Sequence, residues 1–461
     1  MLDMFFKPSS VAIVGATPKE GKVGRVILEN FKNKFKGYVY PVNPHYQEIL
    51  GLKAYSSLQE IPGGVDLAVI ATPAKTVPQV LEDAGVKGVK GAIIISGGFR
   101  ETGTVEGAML EDEVKKISRR HGIRVIGPNC IGVIDNWSGV DTFFLPEDKM
   151  KRPPRGYVSV VSQSGAFASA LLDWMAYHGY GVSKAISFGN KVDVDEIELL
   201  EYLADDPSTN VVFVYIEGVK ENRGRDFLET ARKVSARKPV VVYKAGKTKR
   251  GGVAAASHTA ALAGDYTLYR SVFKQSRVLE ATSFDEIMDL AKVLSTQPLM
   301  KGRRVYIVTD AGGVGVMLTD AIELSGLEVP ETPADLRERL GGFLPPYCIV
   351  GNPIDLTGDA DDERFIRVLD EVLPRSDVDA VVVVALPQIP GLKGSLFEYL
   401  VEAKKYGKPI LVVLIGGELA VDYRRFLEEK GIPVFESPER LAKALSALYT
   451  YSQIRIHGGT S

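Results

Sequence analysis

The stretch Val160-Val161-Ser162-Gln163-Ser164-Gly165-Ala166 decides the fold. An apolar, β-branched run ends in small polar residues, and an amphipathic segment, Ala166–Tyr177, follows directly. Such a sequence reads as a strand buried on both faces, a tight turn, and a helix packing back onto the sheet. Similar apolar runs stand at Val11–Val14, Ala68–Ile70, Ala92–Ile95, Val211–Ile216, Val240–Val242, Val305–Val308, Ala380–Val384 and Ile410–Leu414. Amphipathic stretches separate many of them, so the chain is expected to be α/β, with parallel sheets covered by helices. Polar connectors rich in Pro and Lys/Arg, Pro146–Gly156 and Ser295–Arg304, divide it into expected domains 1–146, 156–296 and 302–461.

The opening stretch has a diverged copy. Val161–Gly165 matches Val308-Thr309-Asp310-Ala311-Gly312 at an offset of 147. Gly189-Asn190 with Asp193 matches Gly351-Asn352 with Asp355 at 162, and KPVVVYKAG from Lys238 matches KPILVVLIG from Lys408 at 170. Val278-Leu279-Glu280 then resembles Val434-Phe435-Glu436 at 156. The fall from 170 to 156 places about 14 extra residues of the first copy in Lys247–Gly264. An insertion after a strand's carboxyl end in an open α/β sheet is where ligands and chemistry usually sit.

Composition excludes several classes of function. Among 461 residues, 56 Lys/Arg oppose 58 Asp/Glu for a formal charge of −2, which leaves no footprint for nucleic acid or an anionic membrane. Two cysteines, Cys130 and Cys348, are too few for a disulfide framework or a Cys-based zinc site, and no metal site is expected. The amino terminus has no basic flank before its first strand, and no apolar run reaches the roughly 18 to 20 residues of a membrane span. A cytoplasmic, multi-domain enzyme is the expectation.

The first strand ends in Gly15-Ala16-Thr17-Pro-Lys-Glu-Gly21-Lys22-Val-Gly24, with a helix from about Val23. Glycines there let a phosphate approach the backbone at a helix amino terminus, although an ordinary tight turn would read the same way. The second strand ends in Val42-Asn43-Pro44, with no acid to hold ribose hydroxyls as an NAD site requires. Lys22 and Lys53 suit extra phosphate charge, so a nucleotide with a ribose phosphate fits, either coenzyme A or NADP. Thr72-Pro73, Ser96-Gly97 and Asn129-Cys130 end further strands and should converge on the same crevice. Cys130 reads as a small buried thiol before it reads as a nucleophile.

In the second domain, Ser162, Ser164 and Gly165 place hydroxyls and amides at a helix's positive end, which suits a phosphoryl group; a plain serine N-cap is the alternative. A nucleophile elbow would need G-x-S-x-G, and its first Gly is missing. His258 lies in the inserted stretch, read as a loop of small residues, and Glu217 follows the strand Val211–Ile216. At an offset of 170 the second copy has Pro387 in place of Glu217, so only the first copy holds both an acid and a histidine. A carboxylate on one ring nitrogen fixes the tautomer and leaves the other nucleophilic. His121 and His178 precede glycines and read as helix ends.

Together these residues resemble the α subunit of the ADP-forming acyl-CoA synthetases, relatives of succinyl-CoA synthetase. The resemblance rests on Gly15-Ala16-Thr17, GPNCIG at Gly127–Gly132, SQSG at Ser162–Gly165, SFGN at Ser187–Asn190, YIEG at Tyr215–Gly218 and SHTAALAG at Ser257–Gly264. The third domain, with TDAGGVGV and NPIDLTGDA, looks like the carboxyl-terminal domain of succinyl-CoA synthetase's partner subunit. The resemblance implies a Rossmann-like CoA-binding domain followed by two flavodoxin-like domains. It implies that His258 is phosphorylated, that Glu217 steadies it, and that an acyl phosphate forms from acyl-CoA and phosphate. No Walker A or ATP-grasp segment is recognisable, so ADP/ATP and Mg2+ are expected on an ATP-grasp β subunit in an α2β2 assembly. An NADP-dependent oxidoreductase and a non-catalytic CoA-binding regulator are the competing expectations.

Overall fold

Apolar runs make the strands, and the order in which they pair positions everything else. The computed structural model describes residues 2–259 and 265–457, without the side chains of 256–259 and 457. One compact unit runs to Tyr177 and resumes over Gly181–Glu280; the other comprises His178–Tyr180 and the chain from Ala281 on.

The first unit holds two large sheets and a small antiparallel pair, Glu48–Ile49 with Leu52–Lys53. In the first, five parallel strands lie in the order Tyr38–Val42, Ser10–Val14, Leu67–Ile70, Gly91–Ile94, Arg124–Ile126. Its three central strands are buried throughout because helices cover both faces, which is why they read as unbroken apolar runs, whereas the edge strand Tyr38–Val42 exposes Tyr38. The chain leaves Ser10–Val14 in one direction and returns on its other side at Leu67–Ile70, so the switch point lies between Gly15 and Ala71.

The second sheet runs Leu279–Glu280, Val240–Lys244, Val211–Ile216, Arg155–Ser162, Val182–Ser187, Gly132–Asp135, Val140–Asp141. Its first five strands are parallel. The last two form an antiparallel hairpin contributed by the chain just after the first sheet, with Gly132 facing Ser187 and Asp135 facing Lys184. Nothing in the sequence patterning announced this hairpin. The segment behind it is knitted further, since Asn190 and Val192 donate backbone hydrogen bonds to Pro128 and Gly127.

The second unit's sheet repeats the parallel order: Ile354–Asp355, Val305–Thr309, Ala380–Ala385, Ile410–Leu414, Val434–Phe435. Helix Phe284–Thr296 belongs to this unit, where Arg440 of the last helix pairs with its Asp289 at 2.7 Å. The two copies therefore share one topology, but pairing corrects parts of the sequence alignment. Ser162 faces Tyr215 and Thr309 faces Val384, so the counterpart of Glu217 is Leu386 rather than Pro387. Ser187 occupies the place of Asp355, which displaces the Gly189-Asn190 match. Val242 faces Glu280 while its counterpart Val412 faces Val434, making the last offset 154 and the insertion about 16 residues. The inserted chain includes an extra helix, Lys249–Thr259, ahead of Tyr266–Ser276; the second copy has only Glu418–Glu429.

Candidate functional site

At the first switch point the backbone is packed too closely for side chains. A Cβ on Gly15, at φ +92°, would lie 2.6 Å from the Ala71 carbonyl oxygen, and one on Gly24 would lie 2.1 Å from that of Gly15. Only glycines bring helix Val23–Lys34 and its free amides this near the strand ends. Beside them opens a cleft of about 460 Å³, lined by Gly15, Val42, Asn43, Thr72 and Pro73 with Ser56, Ser57 and Asp83. The Thr72 hydroxyl oxygen is buried with no hydrogen-bond partner among the described residues. An unfilled polar atom in a glycine-built cradle fits the nucleotide end of coenzyme A.

The expected contacts do not all act alike. Asn43 supports the turn: its amide donates to the Ala16 carbonyl at 2.8 Å and its oxygen accepts from His45 N–H at 3.0 Å. Lys22 is exposed at the helix start, and Lys53, also exposed, lies over the Tyr55 ring at 5.3 Å. Ser96 donates to the Thr72 carbonyl, tying two cleft loops together. Cys130 is buried in the core, its thiol directed to the Ile94 carbonyl at 3.3 Å, and burial pushes its pKa up to about 12. A thiol so held is no nucleophile, and its own contact with a ligand is not what the structure offers.

The Gly127–Cys130 loop joins this cleft to the second sheet. Asn129, at φ +57°, donates to the Asn190 amide oxygen at 3.3 Å. A Cβ on Gly189 would lie 2.3 Å from the carbonyl oxygens of both Pro128 and Asn129. Asn190 in turn donates to Glu101 at 2.6 Å and Glu111 at 2.7 Å, two acids no motif pointed to. Gly165, the first residue of helix Gly165–Tyr177, sits against Ile131 and Ser187. The positive end of that helix thus adjoins the loop that ends the first sheet.

Around this helix end the expected groups assemble. Ser162 is fully buried; its hydroxyl donates to the Ser164 carbonyl at 2.7 Å and accepts from Ser164 N–H at 3.2 Å. The Ser164 hydroxyl accepts from Phe167 N–H at 3.3 Å, so it caps the helix. Gly165 and Ala166 are at least partly exposed, and first-turn amides lack intrahelical partners. Glu217 is buried at the neighbouring strand end, with its backbone bound to Gln163 and its carboxylate 3.4 Å from the Tyr215 hydroxyl. Helix Lys249–Thr259 lies against the Arg100–Thr102 turn of the first sheet. His258 falls on this helix rather than in a loop; its side chain, like residues 260–264, lies outside the described residues.

Residues 9–136 match the CoA binding domain, 155–294 the succinyl-CoA ligase like flavodoxin domain, and 305–455 the Ligase-CoA domain. The α subunit of ADP-forming acetate–CoA ligase II from Pyrococcus furiosus is 40% identical over 466 residues, covering 100% of both chains. The chain belongs to the ADP-forming acetate–CoA ligase family. Against ADP-forming acetate–CoA ligase I of Archaeoglobus fulgidus it is 42% identical over 98% of its own length, but spans only 64% of that longer protein. The dinucleotide-forming acetyl-coenzyme A synthetase 1 of Candidatus Korarchaeum cryptofilum, solved with phosphate and ADP, superposes with a TM-score of 0.94 at 37% identity, covering 100% of this chain and 99% of that one. As expected for this family, the fold is a Rossmann-like domain followed by flavodoxin-like ones. Among the described residues no helix is long and apolar enough to cross a membrane.

Proposed function

We propose that this chain is the α subunit of an ADP-forming acyl-CoA synthetase in the cytoplasm, catalysing acyl-CoA + ADP + phosphate ⇌ acid + CoA + ATP. The observation that carries the reading is the presence in one unit of three features: the glycine-built cleft, the capped helix end beside Glu217, and the inserted helix bearing His258.

Gly15, Ala16, Thr17, Lys22, Val42, Asn43, Lys53, Thr72, Pro73, Ser96, Gly97, Asn129 and the Cys130 backbone form or support the CoA site. Acyl-CoA bound there would present its thioester carbonyl, with the CoA thiolate as leaving group. Phosphate attacks that carbonyl, so the C–S bond breaks and an acyl phosphate forms. A ring nitrogen of His258 then takes the phosphoryl group, breaking the P–O bond and releasing the carboxylate. Glu217 accepts a hydrogen bond from the N–H of the other ring nitrogen and keeps the ring in one tautomer. Amides at Ser164 and Gly165, with the Ser162 hydroxyl shaping their turn, supply fixed donors for the phosphoryl oxygens. A partner ATP-grasp β subunit, in an α2β2 assembly, brings ADP and Mg2+ to the phosphohistidine.

The test is incorporation of ³²P from acetyl-CoA and labelled phosphate. Acid-labile, base-stable label is expected on the parent and none on His258→Ala. Equal labelling of that variant overturns the mechanism.

A further inference from the structure

The segment Glu217–Val219 is held in an unusual way. Backbone groups at a strand end normally bond to other backbone or to water. Here side chains from four separate stretches of the chain take five of the segment's six. The Gln163 amide oxygen accepts from Glu217 N–H at 3.0 Å and Gly218 N–H at 3.4 Å. Lys244 donates to the Glu217 carbonyl at 2.7 Å, and Lys191 to the Gly218 carbonyl at 2.5 Å. The Tyr269 hydroxyl accepts from Val219 N–H at 3.0 Å.

Two of these side chains are costly to place. Lys244 is 1% exposed and Lys191 5% exposed. Lys191 is matched by Glu196, whose oxygens lie 3.1 and 3.0 Å away. Lys244 bonds to the carbonyls of Glu217 and Ala245 and lies 4.7 Å from the centre of the Tyr269 ring. Burial lowers its pKa to about 8, against the opposing pull of the Glu217 charge. An ammonium held chiefly by carbonyls destabilises a fold unless its placement serves something else. The second copy shows that the fold can do without it. At the same sheet position stands Leu414, 1% exposed; among the described residues one side chain, Asp310, bonds that strand end's main chain, at Leu386 N–H, while the Leu386 carbonyl accepts from the Ile389 backbone N–H.

We propose that Gln163, Lys191, Lys244 and Tyr269 form a clamp of positioning residues that fixes the main chain of Glu217, so that its carboxylate keeps one placement while the neighbouring histidine is loaded and unloaded with phosphate. The inference rests on the function proposed above. A clamp acts on the chemical step and leaves substrate binding alone, so kcat should fall without a matching change in KM.

The experiment compares the parent full chain, assembled with its partner subunit, with Lys244→Leu and Tyr269→Phe. It reads the rate of ³²P incorporation from acetyl-CoA and labelled phosphate, and steady-state KM for acetyl-CoA. Lys244→Leu is expected to slow labelling about 10- to 100-fold and Tyr269→Phe about 3- to 10-fold, each with KM within about twofold of the parent. Tyr269→Phe removes a single hydroxyl and decides the matter if Lys244→Leu does not fold. Parent-like labelling in a folded variant, or a loss carried by KM alone, overturns the clamp. A parent that takes no label overturns the underlying reading of the site instead.

Discussion

At the ends of strands Arg155–Ser162 and Val305–Thr309 the chain makes one turn twice. In each, a hydroxyl donates to the carbonyl two residues on and accepts that residue's N–H: Ser162 with Ser164, and Thr309 with Ala311. In each, the next side chain crosses the switch point and accepts a backbone N–H from the adjacent strand end. Geometry is thus shared and chemistry is not. The first copy crosses with a neutral amide, Gln163, to reach Glu217; the second crosses with a carboxylate, Asp310, to reach Leu386. Asp310 is buried, one of its oxygens has no hydrogen-bond partner among the described residues, and burial followed by the Asp355 charge raises its pKa to about 6. The first helix end thus has a neutral crossing amide with Glu217 beside it, whereas the second is flanked by two acids, Asp310 and Asp355.

Exchanging residues between the copies tests this contrast. Glu217→Leu, which installs the second copy's residue, should cut phosphohistidine formation by about 10³-fold, since it removes the group that orients the ring and stabilises the positive charge the ring gains on phosphorylation. Rapid-quench labelling measures it, and a loss below tenfold breaks the contrast. Gln163→Asp should lower kcat about 100-fold, because a shorter side chain frees Glu217 N–H and adds a charge beside a phosphoryl site. Steady-state assays over phosphate concentration would read that effect.

Asp310→Asn should act on stability in the opposite direction. Its folded pKa of about 6 lies above the unfolded value, so the native state binds the extra proton between about pH 4 and 6. The parent therefore loses stability as pH rises through that window and carries the full cost above it. Asparagine should raise stability at pH 7 by about 2 kcal/mol, with the gain vanishing near pH 4. Denaturant midpoints at the two pH values check the sign, and an unchanged or lower midpoint at pH 7 breaks the account of Asp310.

Strands and turns were largely legible because burial on both faces writes itself as uninterrupted apolar sequence. Val211–Ile216 and Ile410–Leu414 were read residue for residue, and the helix from Val23 began where the glycine turn placed it. Register was harder. Gly189-Asn190 looks like Gly351-Asn352, yet pairing sets Ser187 opposite Asp355's place, because like residues recur in turns for reasons of local conformation. The stretch around His258 reads as a loop yet forms a helix, because small residues such as Ala254 and Ala255 serve both. Lys191, Lys244, Tyr269, Glu101 and Glu111 went unseen for another reason. Each bonds to groups 27 to 89 positions away, and such contacts leave no periodicity along the chain.

The hairpin Gly132–Asp141 has a consequence for synthesis. It emerges from the ribosome with the first sheet, but its pairing strand, Val182–Ser187, follows about 50 residues later. Until then a newly made chain carries an open strand edge able to pair with a neighbouring nascent chain. The same pairing makes the two sheets poor candidates for genetic shuffling. A cut at the Pro146 connector separates a hairpin from the sheet it completes, so the CoA-binding piece would leave with the border of its neighbour.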